Sequence, residues 1–311
     1  MERIDWERAA ERVRNWGRWG PEDNRGTLNL IGPEVIKRGV AAAQAGKQFS
    51  LGLRFDRDGP QRGGDRVNPQ LILHALDTPI NPEFPRTRFS DDSVFMALQC
   101  ATQWDALCHV HYDGELYNGC KVCDTLTPKG ALKLGVEHLA SPGITSRAVL
   151  LDVARHFGVD ELPAGRAITP DVLDAVVEQQ GVAILPGDIV AVRTGAIRSL
   201  VVHGDRDRFA ESQPGLDATC AEWLHDRQVA AVCADNVAVE VIGPDTMASE
   251  ICLPMHPLCR RDMGMPLGEM FNLEALAADC ADDGRYHFLL CAPPLGFTGG
   301  VGSPVNPIAL K

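Results

Sequence analysis

The chain has 311 residues, 45% hydrophobic and 23% charged, with a formal net charge of −12. That composition supplies ample core for a folded domain, and the acidity disfavours nucleic acid and anionic membranes, both of which call for a basic surface. The opening MERIDWERAAERVRNWG lacks the apolar centre of a signal peptide, and no stretch approaches the roughly 20 apolar residues of a membrane span, so a cytoplasmic protein with its ten cysteines reduced is expected.

Pro33 to Ala43 reads as a helix opened by proline at its first position. From about residue 50 to 92 the chain is rich in Gly, Pro, Arg and Asp and reads as hairpins and long loops. Val94 to Gln99 is short, apolar and strand-like. The runs 148–154, 188–193, 229–234 and 288–292 are nearly continuous in apolar residues, which suits strands covered on both faces. Between them, Thr169 to Gly181 has a capping Thr, Pro at the first position and a closing Gly, and 217–228 and 272–282 are also periodic enough for helices. Strands alternating with helices imply an α/β sheet. No internal repeat is present, so residues 1–311 are expected to form one domain with a loop-rich N-terminal third, about residues 1–92.

The stretch Gln99 to His109, QCATQWDALCH, carries polar side chains at 99, 103, 105 and 109. An offset of four shares a face on a helix and an offset of two does so on a strand, so a turn from strand into helix could bring all four together. An imidazole with a carboxylate makes a general base with its orienting partner, or two ligands for a divalent ion. On spacing alone the alternative stands equally: Asp105 caps a turn and His109 is a hydrogen-bonded core residue.

With His in place of both glutamines the stretch would read H-x-G-T-H-x-D-x-P-x-H. It resembles the signature of the cyclase family, which includes metal-dependent bacterial kynurenine formamidase and isatin hydrolase. Thr102, Asp105 and His109 match that pattern, Ala101 stands at the Gly, and Gln99, Gln103 and Leu107 depart from it. The segments from Trp16 to Asn29, His111 to Gly114, Tyr117 to Gly119, Gly187 to Gly195 and Gly299 to Pro307 look like a longer branch of the same family. The segment from His256 to Glu269 is similar to the family's downstream H…E-x-L element, where His and Glu complete the metal and acid–base constellation. The resemblance implies a mixed sheet or barrel-like β core packed with helices, of the swivelling β/β/α kind. It also implies Asp105, His109, His256 and Glu269 as catalytic residues, and a homodimer or homotetramer in which residues 1–30 could reach across a partner.

An amide oxygen is a poorer zinc ligand than an imidazole. That leaves Asp105, His109, His256 and Glu269 as the strong donors, and Asp105, Gln103 and His256 are the candidate metal ligands of a site that has changed ion, for example to manganese, has kept zinc weakly, or has become metal-free. With an ion, a bound water would attack an amide, imide or lactone carbon of a cyclic or aromatic small molecule. Without one, the same side chains would serve a cyclase, isomerase or dehydratase as acid–base catalysts, with the amides of Gln99 and Gln103 donating to a substrate carbonyl. A pseudoenzyme that only binds substrate is a further alternative, disfavoured by the presence of all four catalytic candidates.

Trp104, Tyr112 and Tyr117 are expected to wall a pocket for a planar substrate, and Arg193, at the end of a strand, is a candidate for holding a substrate carboxylate. His111 is a candidate supporting residue, and Asp235-Asn236, following an apolar run, is expected near the pocket. Cys120-x-x-Cys123 has no second pair at zinc-ribbon spacing. Gly299-Gly-Val-Gly-Ser lacks the Lys of a phosphate loop, so no nucleotide cofactor is expected.

Overall fold

Nine strands make one mixed sheet, seen in a computed structural model that describes residues 5–247 and 250–311. In chain order they are β1 (Gln48–Ser50), β4 (Gln103–Asp105), β5 (Thr145–Asp152), β6 (Ile189–Arg193), β7 (Ala231–Ala234), β8 (Leu267–Glu269), β9 (His287–Cys291), β10 (Gly302–Pro304) and β11 (Ile308–Leu310); β2 (Gln70–Pro79) and β3 (Arg88–Phe95) form a separate hairpin. The sheet order is β1-β11-β9-β5-β6-β7-β8-β4-β10, with β5, β6, β7 and β8 mutually parallel and the flanking pairs antiparallel. The sheet curls into a half-barrel packed with helices, as the family resemblance implies.

The continuous apolar runs become the central strands because both of their faces are covered. Along β5, Ala148 and Leu150 enter one core cluster while Val149 and Leu151 enter the other; along β6, Ile189 and Ala191 oppose Val190 and Val192 in the same way. Alternation on a strand demands that split. The expected helices appear as α2 (Pro33–Ala42), α3 (Pro170–Gln180), α4 (Cys220–Asp226) and α6 (Glu274–Asp283), and two that were not expected join them, α1 (Trp6–Val13) and α5 (Met255–Pro257, continuing as a π-helix over Leu258–Met263). Gly181 closes α3 with φ of 59°, but the Thr169 side chain makes no capping bond.

Two expectations change. Val94 and Phe95 end β3 in the exposed hairpin, and residues 96–102 reach β4 without strand structure. No helix follows β4: Ala106 N bonds Val301 O and His109 N bonds Ala106 O, so the chain turns tightly where a helix was expected. β4 has neighbours on both sides, and it is the sheet that gathers the polar residues. The N-terminal segment also makes contacts within the chain, with Trp16 Nε1 donating to Arg261 O at 2.6 Å and Thr27 N to Gly264 O at 2.8 Å. No helix among the described residues is long and apolar enough to cross a membrane, and all ten cysteines are free thiols.

Candidate active site

Two neighbouring strands build the centre. On β4, Gln103 and Asp105 share a face and Trp104 points the other way. β8 runs antiparallel to β4, with Glu269 opposite Gln103, Gly268 opposite Trp104 and Leu267 opposite Asp105. Glu269 therefore projects beside Gln103, whose Nε2 donates to Glu269 Oε2 at 2.6 Å and approaches Asp105 Oδ1 at 3.3 Å. Gly268 has to be glycine, because a Cβ there would stand 2.8 Å from the Trp104 ring and 2.7 Å from Cys233 Cβ. Thr102 ties the two strands together just beyond the site, donating from Oγ1 to Met270 O at 2.6 Å. Met270, immediately after Glu269, has φ of 57°, a conformation that a bulky side chain rarely adopts.

α5 closes this face of the sheet. Its Met255, Leu258, Cys259 and Met263 belong to the same core cluster as Leu267, so the site is roofed by apolar contacts. His256 stands between two carboxylates: Nε2 lies 3.2 Å from Glu269 Oε1, and Nδ1 makes a short hydrogen bond with Glu240. Glu240 also accepts from His256 N at 3.0 Å and from Met255 N at 3.1 Å, fixing the start of the helix as well as the ring. One helical turn on, the fully buried Arg260 donates from Nη2 to Asp105 Oδ2. π-helical turns favour functional positions, and this one buries Arg260, Arg261 and Asp262 in succession.

His109 is the member nearest solvent, with 19% of its side chain exposed and Nε2 3.7 Å from Asp105 Oδ2, too long for a hydrogen bond. Burial lowers its imidazole to about 4, so it is neutral near pH 7. Burial would raise the Asp105 carboxyl, but Arg260, then His109, His256 and Arg66, hold it below its ordinary value. Glu269 moves upward through burial and the nearby Asp105 charge. His256 also moves upward: burial and Arg260 oppose its charge, but the hydrogen bonds to Glu240 and Glu269 outweigh them. The His109 imidazole is thus driven down while the His256–Glu269 pair moves up, an opposition that suits acid–base work.

Asp105, His256 and Glu269 offer ligand atoms all within 4.8 Å of one another, so a group that could hold a metal ion is present. The partners of those atoms decide how well an ion fits. Asp105 carries the guanidinium, Glu269 carries the Gln103 amide, and both ring nitrogens of His256 face carboxylate oxygens. A metal-bound imidazole needs a free, deprotonated nitrogen. The Glu240 bond to Nδ1 could stay in place if Nε2 became the ligand, but an ion here must displace the Gln103 amide from Glu269 and approach the fixed Arg260 cation on Asp105, and for that reason the donor set fits it poorly.

Gln99 is nearly buried, and its Nε2 reaches the space at Gly302 where Asp105 Oδ1 also lies. Trp104 sits on the opposite face of the sheet, fully buried, with Nε1 donating to Ala292 O at 2.9 Å and the ring edge-on to Phe271. Its surroundings are core, as strand alternation requires once Asp105 faces the site. Tyr117 is a core residue that donates to Asp23 Oδ2 at 3.2 Å. Tyr112 bonds Asp262 Oδ2 at 2.9 Å and lies under the Arg261 guanidinium, 3.9 Å from its ring centroid. Arg193 is held by Glu274, Asp152 and Asp160 O in an ion network that leaves no edge for a substrate. His111 is exposed. Asp235 is buried, accepting from Thr194 N, Thr194 Oγ1 and Gly195 N, and so fastens β7 to the end of β6.

Glu240 and Arg260 are not among the motif residues legible in the sequence. Arg260 follows His256 by four residues, the same offset that singled out His109 after Asp105, so a signal existed. Glu240 stands alone between Val239 and Val241, and an isolated carboxylate in an apolar run was the only hint.

The fold and this site define a mixed α/β enzyme with a buried cluster of titratable side chains. Residues 64–241 match the family model described as "Putative cyclase", and a solved structure described as a novel cyclase is 38% identical, superposing with a TM-score of 0.87 over 97% of this chain and 99% of that one. The chain belongs to the cyclase family. Isatin hydrolase A from Ralstonia solanacearum shares the fold at 19% identity, with a TM-score of 0.61 over 90% of this chain and 98% of that one. A potential metal-dependent hydrolase with cyclase activity does so at 17% identity and a TM-score of 0.52, over 85% and 96%. No curated protein sequence matches the chain.

Proposed function

We propose that this protein is a hydrolase that opens an amide, imide or lactone bond in a cyclic or aromatic small molecule. The observation that carries the reading is the convergence of His109, Asp105, Gln103, Glu269 and His256 on one face of the sheet beneath α5. His109, neutral and nearest to solvent, takes a proton from water as the water oxygen bonds to the acyl carbon. The carbonyl electron pair moves onto its oxygen. When it returns, the C–N or C–O bond breaks, and the leaving atom takes a proton from the His256–Glu269 pair. Glu240 acts through His256, holding the ring in place, and is a positioning residue.

A panel of isatin, aryl formamides, cyclic imides and aryl lactones, assayed with the native protein and with His109→Ala and Glu269→Ala, tests this. Turnover of at least one class by the native protein alone is expected. Full activity in both variants would overturn the constellation. The same opposed base and acid also suit dehydration or isomerisation, and isotope-labelled water separates the readings, since only hydrolysis puts its oxygen into the product.

We also propose a homodimer or higher homo-oligomer assembled through the β2–β3 hairpin. Leu71, Ile72 and Leu73 are consecutive, so they load both faces of the ribbon, and all three are more than half exposed, as are Leu76, Val94 and Phe95. An isolated two-stranded ribbon is marginal in water, and so broad an apolar surface marks an interface. A second copy would bring a matching apolar ribbon to cover it.

A further inference from the structure

We propose that the Arg260 guanidinium holds the place of the divalent ion in this site, as a fixed cation that neutralises Asp105 and receives the acyl oxygen of the substrate. Four observations support this. Arg260 is fully buried, where an unpaired guanidinium would be strongly unfavourable, and Asp105 is its anionic partner. Among the described residues its Nε and Nη1 are buried with no acceptor, so the cation has donors left for an oxygen that arrives with a ligand. The Gln103 amide points its NH₂ group, and not its oxygen, at Glu269 and Asp105; two carboxylates that would grip an ion are thus met by a donor on one side and a guanidinium on the other. The mount is rigid as well, because Arg260 rides on the helical segment that Glu240 anchors at Met255 and His256.

The chemistry balances without an ion. As water adds to the acyl carbon and His109 takes its proton, the carbonyl π pair moves onto oxygen, and the guanidinium stabilises that charge as oxyanion-hole donors do. Collapse restores the double bond and expels the protonated leaving group. A planar guanidinium also suits a substrate that carries a carboxylate next to the reacting carbonyl.

The oxyanion role rests on the hydrolase reading, whereas the replacement of the ion does not, so the test measures metal directly on the full chain. Protein purified without chelator is assayed for bound metal, then titrated with Mn²⁺ and Zn²⁺ by calorimetry, alongside Arg260→Met and Arg260→Lys. The native protein and Arg260→Lys are expected to carry no stoichiometric metal, and chelator is expected to leave their melting temperatures unchanged. Arg260→Met, which removes the charge and keeps most of the volume, is expected to bind Mn²⁺ at least about tenfold tighter than native protein. About one equivalent of metal retained by the native chain, or a fall in its melting temperature on chelation, overturns the proposal. Native protein alone decides the matter if Arg260→Met does not fold. Metal-free protein that hydrolyses nothing in the panel counts against the hydrolase reading and leaves the replacement of the ion standing.

Discussion

Gln103 lies directly opposite Glu269 in the β4–β8 register, and its amide donates to Glu269 Oε2 at 2.6 Å while reaching Asp105 Oδ1 at 3.3 Å. One neutral donor separates two buried carboxylates. Gln103→Leu removes it and leaves both acids facing each other, at a cost of about 1–3 kcal/mol for the lost partner. Urea denaturation should show a lower midpoint, and kcat should fall more than KM rises, because Glu269 is displaced from His256. An unchanged midpoint and unchanged kcat would mean that the amide is not needed there.

Glu240 makes three hydrogen bonds to the start of α5, two of them to backbone N–H groups and one to the His256 ring. Glu240→Ala leaves the ring and two buried donors without an acceptor, a class of change that costs about 3–5 kcal/mol when a buried charged pair is broken. Glu240→Gln keeps the shape and some of the bonds while removing the charge. The expected outcome is strong destabilisation for Ala and a well-folded Gln variant with reduced kcat and near-native KM, read from thermal melts and steady-state kinetics. Equal kcat in the Gln variant would show that His256 needs no charged partner.

Much of the site was legible in the sequence because its logic is local. Gln103 and Asp105 alternate on one short strand, and the apolar runs that became β5, β6 and β7 announced a two-faced core. What could not be read was anything set by long-range register. The pairing of Glu269 with Gln103 joins residues 166 apart, and only that pairing decides which face of β4 is the site. Once Asp105 faces α5, Trp104 must face Phe271, so the tryptophan that looked like a pocket wall is core. Tyr112 and Arg193 were misleading for a similar reason: a polar aromatic and an arginine near a motif suggest a ligand, yet each is occupied by partners supplied from distant segments, Asp262 with Arg261 and Glu274 with Asp152.

Trp104 supplies a direct check of that geometry. Trp104→Phe keeps an aromatic ring against Phe271 but loses the Nε1 bond to Ala292 O and part of the buried volume. Stability should fall by about 1–3 kcal/mol, with KM for any substrate within about twofold of native, since a 1.4 kcal/mol change in binding would already be tenfold. A large rise in KM with unchanged stability would put the indole in the pocket.

The hairpin predicts a change of assembly without a change of site. Leu73→Asp together with Leu76→Asp places two charges on strand β2, where both leucines are exposed in the single chain, Leu76 by 72%. Buried in an interface they would be strongly unfavourable; on a free ribbon they would be tolerated. Light scattering should report an oligomer for the native protein and a monomer for the double variant. A native monomer, or an unaltered oligomer in the variant, would remove the hairpin from the assembly.

As the proposed base, His109 is expected to set the acid limit of activity. Its imidazole is pushed down from 6.5 to about 4, chiefly by burial, with the Asp105 charge only partly opposing the shift. If His109 is the base, kcat/KM should stay flat from neutral pH downward and fall only as the pH approaches about 4, instead of bending at the ordinary histidine value. The same shift makes a statement about folding. Between about pH 4 and 6.5 the unfolded chain binds a proton at this position that the folded chain does not, so the contribution of His109 to stability rises with pH across that window. His109→Gln should abolish turnover and also flatten the rise of melting temperature between those limits. A kinetic bend that stays near 6.5 in the native protein would place the base elsewhere, and a variant that keeps the native slope of melting temperature would show that His109 is not the group that titrates there.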